Sequence, residues 1–371
     1  MAGLFEIETD IATTARQTND AASWRRFTRL FLGLFGGAIT LLTLAVIVAN
    51  PFRAVPYRTG GLPLMTSEQR LLYPSIARDP AFDSAVFGTS SIRLLRPSLL
   101  DAELGGRFAQ LAIDNATAWE ELQVAALFAR SRPAGQTVRR VILGIDVRWC
   151  TVETASPPLD RHAFPATLYD QSRLNDLQYL LSFASIEAVG RLAKLLNDES
   201  PRFDAAGYGN FLPPDSEYDL ARVREKLWGN AGRDTRQPPQ TPVALSESER
   251  AALPFASHAA LRDFLALWPD QTEVLLLFVP YHIARQPVEG SRGAAHWAEC
   301  RRRIVDIARS RPRTGVADMM IASPVTREDS NYWDPLHYRI GVADRLPGLI
   351  AGAWLQGKDL PEIRVLHYPG M

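Results

Sequence analysis

The sequence predicts an α/β protein, with a parallel five-stranded sheet covered on both faces by helices and one transmembrane helix ahead of it. Two observations carry the prediction. Short apolar runs bounded by turn residues recur between helical stretches, at 84–88, 108–113, 138–147, 273–279 and 315–322. That is the rhythm of parallel strands joined by crossover helices. Separately, residues 30–49 read LFLGLFGGAITLLTLAVIVA, twenty residues without a charge, enough to cross a bilayer core as a helix.

From the N-terminus, residues 1–29 show no sustained apolar period and are expected to form a tail. Arg16, Arg25, Arg26 and Arg29 precede the apolar run, whereas only Arg53 and Arg58 follow closely. The positive-inside rule therefore places the N-terminus in the cytoplasm and the remainder outside. A cleaved signal peptide is the competing reading. The long polar lead, the length of the apolar run and the lack of an A-x-A site favour an uncleaved anchor at 30–49. Residues 50–79, opening with the proline- and glycine-rich PFRAVPYRTGGLP, read as a linker.

The first strand lies in SAVFGTSS at 84–91 and breaks at Gly88 into a turn carrying Thr89, Ser90 and Ser91. A short helix over 97–104 is closed by Gly105 and Gly106, and the second apolar run follows at 108–113. Thr117 and Glu120 have the spacing of a capping box, opening a helix that ends before Pro133. The third run, VRRVILGIDV, has a VILGI core apolar on both faces, as strands buried on both sides are. There the alternation stops. Residues 148–255 read as an insertion with helical stretches at 174–181 and 185–196. The rhythm resumes with a helix over 259–268, the strand EVLLLFV at 273–279, a helix over 294–309 and a strand at 315–322. The loop 323–336 leads to a last helix near 340–355, and 356–371 reads as a C-terminal tail.

Composition bounds the function. Forty-one basic and forty-one acidic residues cancel, which removes any global electrostatic argument for nucleic acid. Two cysteines, Cys150 and Cys300, offer no metal-ligand spacing, and no metal or cofactor is expected. No Gly-rich phosphate loop follows any strand, so a nucleotide-binding reading fails.

A serine at a strand-to-helix turn, with Asp334 and His337 spaced D-x-x-H late in the chain, supplies the parts of an activated nucleophile. Ligand sites in parallel sheets lie beyond the carboxyl ends of the strands, where Ser90 and the 323–338 loop both fall. The alternative for Ser90 and Ser91 is simple capping of the turn. His162, His258, His282, His296 and His367 read as surface or core-edge residues. Trp149, Tyr332 and Trp333 are candidates for a sugar-stacking wall or for packing. Arg93 and Arg148, near strand ends, are candidates to hold an anionic substrate.

FGTSS after the first strand, GID at the end of the third and WDPLH near the C-terminus resemble the SGNH (GDSL-like) hydrolase superfamily. The likeness is nearest to its membrane-tethered extracytoplasmic members, such as the SGNH-like proteins of alginate O-acetylation and of D-alanyl transfer to teichoic acid. It covers roughly residues 80–355 apart from the insertion. It implies a three-layer α/β/α sandwich, flavodoxin-like in order, and an esterase, lipase or O-acyltransferase activity. Gly88-Thr89-Ser90 matches the family's Gly-Asp-Ser block and makes Ser90 the nucleophile. Asp334-Pro335-Leu336-His337 matches its Asp-x-x-His block, making His337 the base and Asp334 its partner. The block that reads Gly-x-Asn-Asp in the family stands here as Gly144-Ile145-Asp146-Val147, so Asp146 replaces an oxyanion-donating asparagine. Asn115 is a replacement donor or a helix-start residue, and Gly88 and Trp333 complete the oxyanion and substrate-binding candidates.

The implied protein is anchored in a bacterial inner membrane with its main domain periplasmic. It acts on a cell-envelope glycan or acyl ester, with a multispanning membrane acyltransferase as partner if it transfers acyl groups. The alternative is a catalytically silent glycan-binding or scaffold module.

Overall fold

The computed structural model describes residues 2–52, 68–153, 164–179, 182–192, 202–230, 234 and 236–370, with the backbone alone for 2–21. Outside them lie His162, residues 53–67 of the expected linker, and the ends of two expected helices at 180–181 and 193–196.

The chain begins with α1 (Ala2–Ala49), a single helix that includes the stretch expected to be a tail. No proline interrupts it before Pro51, so the helix continues N-terminally of the apolar run without a break. Its Ala22–Ala49 portion is long and apolar enough to span a membrane, by length and composition. A helix also occupies part of the expected linker, α2 (Gln69–Ala77).

The strands and helices then alternate as β1 (Ser84–Phe87), α3 (Ser90–Arg93), α4 (Pro97–Leu104), β2 (Phe108–Gln110), α5 (Ala118–Arg130) and β3 (Arg140–Ile145). The capping box is present: the Thr117 hydroxyl accepts from the Glu120 N–H and Glu120 accepts from the Thr117 N–H. Between β3 and β4 the described residues include 3₁₀ turns, α6 (Phe183–Leu192), α7 (Leu220–Trp228), α8 (Glu247–Ala252) and α9 (Ser257–Ala266). There follow β4 (Glu273–Phe278), α10 (Arg292–Arg309), β5 (Thr314–Asp318), α11 (Ile340–Ala343), α12 (Leu346–Gln356) and β6 (Arg364–His367). Pro347 sits in the first turn of α12, where its missing N–H costs nothing, and the expected single last helix is split there.

The result is a mixed α/β fold around one six-stranded sheet of order β2-β1-β3-β4-β5-β6. The expected five parallel strands are β1 to β5, but the sheet is not purely parallel. β6 pairs antiparallel with β5, with a register shift at Val316 and Ala317. This short edge strand comes from the stretch expected to be a tail. Every residue of β1, β3 and β5 is buried, which explains the apolar stretches AVF in β1 and VILGI in β3. α2, α5, α9 and α10 form one row of neighbouring helices, while α12 packs on α4, β5 and β6.

Register fixes where chemistry can occur. Phe87 pairs with Leu143, Ile145 with Phe278 and Phe278 with Asp318. The carboxyl ends of β1, β3, β4 and β5 therefore open on one rim. A disulfide between Cys150, just after β3, and Cys300 in α10 ties that rim to the helix row.

Candidate functional site

The turn after β1 is shaped by close packing. Gly88 has φ +138°, and a Cβ there would meet Ile92 at 2.8 Å and the Gly144 backbone at 3.3 Å. A Cβ on Gly144 would in turn meet Ile92 at 2.9 Å. The glycines of FGTSS and GID thus let α3 sit across the ends of β1 and β3. This close approach explains both of them without an oxyanion contact.

α3 starts at Ser90, with Thr89 as its N-cap residue and no side-chain cap. The Ser90 hydroxyl lies 2.9 Å from Nε2 of His337. Ser91 is buried and donates to the Tyr281 hydroxyl at 3.3 Å, which leaves Ser90 as the serine that faces the histidine. The N–H groups of Ser90 and Ser91, at the first helical positions, have no intrahelical acceptor.

His337 and Asp334 share a tight turn. Asp334 Oδ1 accepts from the N–H groups of Leu336 at 2.8 Å and His337 at 3.0 Å. Its Oδ2 lies 2.7 Å from His337 Nδ1. With the proton on Nδ1 donated to the carboxylate, Nε2 is left with a lone pair toward Ser90. Burial pushes the Asp334 carboxyl up. The imidazole and the two backbone donors outweigh it and hold the group below the usual carboxylate range.

The loop is held from several sides. Tyr332 donates to the Pro280 carbonyl at 2.7 Å, and the His282 N–H donates to the Pro335 carbonyl at 3.0 Å. Trp228 Nε1 and Arg224 Nε, both from α7, donate to Asp329 at 3.1 and 3.0 Å. His282 Nδ1 accepts from the Ala284 N–H at 3.1 Å, and Nε2 faces Asp329 at 3.3 Å. His282 is fully buried and His258 nearly so, correcting their reading as surface or core-edge residues. Burial lowers both imidazoles to about 4.

The Asp146 carboxylate is committed to hydrogen bonds within the fold. Its Oδ2 accepts from the Thr89 hydroxyl at 2.8 Å and its Oδ1 from the Arg148 N–H at 2.8 Å. It therefore braces the turn carrying Ser90 and caps the 3₁₀ turn Val147–Cys150. Burial raises its carboxyl. Neighbouring Glu121 is raised well above its ordinary value by burial and by the charge of Asp146.

The remaining candidates divide in the same way. Asn115 is exposed, has φ 55°, and its Oδ1 accepts from the Arg148 guanidinium. It makes no hydrogen bond to Ser90. Trp149, Tyr332 and Trp333 are all buried, and Trp333 packs edge-on against Tyr218. They form packing rather than a stacking wall. Arg93 is buried and paired with Asp114 at 2.7 Å, so its guanidinium is committed within the fold.

Neither a scan against protein-family models nor a comparison with curated proteins finds a match.

Two features of the site escaped the sequence. Phe211 meets the His337 ring edge-to-face at 5.3 Å and lies under Arg93 at 4.1 Å. The segment bearing it runs along the sheet edge, where the Gln110 N–H donates to the Ala206 carbonyl at 2.8 Å. The second is the brace between Thr89 and Asp146. Among the described residues, no cluster of His, Cys, Asp and Glu could hold a metal ion. What the arrangement can do is move a proton from the Ser90 hydroxyl to His337 while Asp334 holds the resulting imidazolium.

Proposed function

We propose that this chain is a membrane-anchored serine esterase or O-acyltransferase of the SGNH type, acting on an acylated cell-envelope polysaccharide or glycoconjugate. The observation that carries the reading is the hydrogen-bonded series from Ser90 Oγ through His337 to Asp334, with links of 2.9 and 2.7 Å. The parallel strand order β2-β1-β3-β4-β5 is the flavodoxin-like order, which places a site where β1 and β3 diverge. The two helix rows are those a three-layer sandwich needs.

In this mechanism Ser90 Oγ attacks an acyl carbonyl as His337 Nε2 takes its proton. The Ser90 N–H, at the start of α3, holds the oxyanion. Collapse of the tetrahedral adduct breaks the ester bond, and His337 gives its proton to the departing alkoxide. Water or an acceptor hydroxyl then loses a proton to His337 and attacks the acyl-serine, and His337 returns that proton to Ser90 Oγ as the acyl–serine bond breaks. Transfer, as opposed to hydrolysis, needs an acyl donor delivered by a multispanning membrane partner.

Three features support an extracytoplasmic setting at a bacterial inner membrane. α1 has a membrane-compatible segment, Arg16, Arg25, Arg26 and Arg29 precede its charge-free run at 30–49, and a disulfide fits an oxidising compartment. Ser90→Ala and His337→Ala test the reading. Each should lower hydrolysis of p-nitrophenyl acetate and deacetylation of O-acetylated polysaccharide by about 10³-fold or more, with the thermal midpoint preserved. Unchanged rates in either variant would sink the mechanism. A wild-type protein that binds glycan without cleaving or transferring esters would move it to the silent-module class.

A further inference from the structure

Beyond α1, eight large hydrophobic residues are exposed among the described residues, and four of them, Leu174, Leu177, Phe183 and Ile186, fall within one short segment. Leu174 and Phe183 are each 81 % exposed. Water-facing leucine and phenylalanine at that density are uncommon on a soluble surface and mark a contact.

The segment is not a loose loop. The 3₁₀ turn Asn175–Tyr179 is pinned from below by buried Asp176, which pairs with Arg78 at 3.2 Å and Arg173 at 3.0 Å. α6 buries Ser185 and Ala188 and turns Phe183 and Ile186, three residues apart, outward together. The apolar residues are thus held outward by polar anchors beneath them.

Position says what covers them. The C-terminal end of α1 packs against α6, and Val46, Ala49 and Asn50 are buried there. The α6 part of the exposed apolar segment, with Phe183 and Ile186, therefore adjoins the helix that carries the membrane-compatible stretch. We propose that Leu174, Leu177, Phe183 and Ile186 form a second membrane contact, dipping into the acyl–headgroup boundary of the bilayer that α1 spans. Interfacial apolar faces of this kind sit about 5–10 Å into that boundary. With α1 as tether and this face as a second contact, the domain keeps one orientation on the bilayer. The proposal rests on α1 as an anchor and is independent of the chemistry at Ser90.

The test uses the full chain reconstituted in phosphatidylethanolamine–phosphatidylglycerol vesicles. Its two native cysteines are paired, so a single introduced thiol can carry an environment-sensitive fluorophore. Labels go at Leu174→Cys, Phe183→Cys, Leu355→Cys as an exposed apolar control, and Leu41→Cys within α1. Nitroxide-bearing lipids should quench the labels at 174 and 183 several-fold more than the label at 355. Quenching at 174 and 183 no greater than at 355 overturns the proposal. Blue-shifted but unquenched labels also overturn it, because they report cover by protein, such as a second copy. An unquenched label at 41 overturns it through its premise, since α1 would not be inserted.

Discussion

Thr89→Val isolates the brace beneath the Ser90 turn. The substitution keeps the side-chain shape and removes only the hydroxyl that donates at 2.8 Å to Asp146 Oδ2. Asp146 is 3 % exposed, so water cannot replace the lost donor without entering the core. Hydrogen bonds to charged groups contribute about 1.5–3 kcal/mol, and an unsatisfied buried acceptor adds its own penalty. A loss of about 2 kcal/mol is expected, a fall in thermal midpoint on the order of 4 °C for a domain above 150 residues. The deficit has a sign in pH. Burial already raises the Asp146 carboxyl, and losing its donor raises it further. Protonation then relieves the variant more than the wild type, so the deficit should be larger at pH 8 than at pH 5.5. Thermal unfolding at both values reads this directly. An unchanged midpoint at pH 8, or a deficit independent of pH, would refute the brace. Asp146→Asn is the companion. If Asp146 stood where an oxyanion donor belongs, restoring the asparagine would raise the rate by about 10²–10³. The brace predicts no such gain.

Asp334→Asn keeps the shape of the His337 turn but permits the other imidazole tautomer, so turnover should fall by about 10³–10⁴ with little change in folding. A loss of under tenfold in steady-state kinetics would remove Asp334 from the machinery. Acid stability should carry a signature of His282. Its imidazole is lowered by burial from 6.5 to about 4, so the unfolded chain binds the proton first and stability is lost as pH falls from about 6.5 to 4. Glu121 and Asp146, raised by burial, act with the opposite sign, so the histidine share is read by difference. His282→Asn, whose amide oxygen can replace Nδ1, should lose on the order of 2 kcal/mol of that acid dependence. Identical pH profiles would show that His282 is not held neutral in the fold.

Much of the sheet was legible because fully buried strands carry their own signal, an apolar run between turn residues. β6 was not. Arg364–His367 is a partly exposed edge strand, defined by its pairing with β5 and not by its own pattern. The Ser90 turn and the D-x-x-H spacing were legible as chemistry, since each is local. The brace was not, because Thr89 and Asp146 are 57 residues apart and meet only because β1 and β3 are neighbours. The GID motif set Asp146 where the resembled family carries an oxyanion-donating asparagine, whereas strand register gives it a hydroxyl to hold. Phe211 and the pair His282–Asp329 were hidden for the same reason. Trp333 shows the converse: an aromatic beside the motif invited a binding role, and tertiary burial assigned it to packing.

The central claim, that Ser90 is a nucleophile activated by His337, is tested most directly by covalent labelling. The folded protein is treated with a serine-reactive phosphonate, digested and mapped by mass spectrometry. The account predicts a phosphonyl adduct on Ser90, absent from the Ser90→Ala variant and strongly reduced in His337→Ala. An unlabelled Ser90 in native protein, or labelling unaffected by His337→Ala, would contradict it.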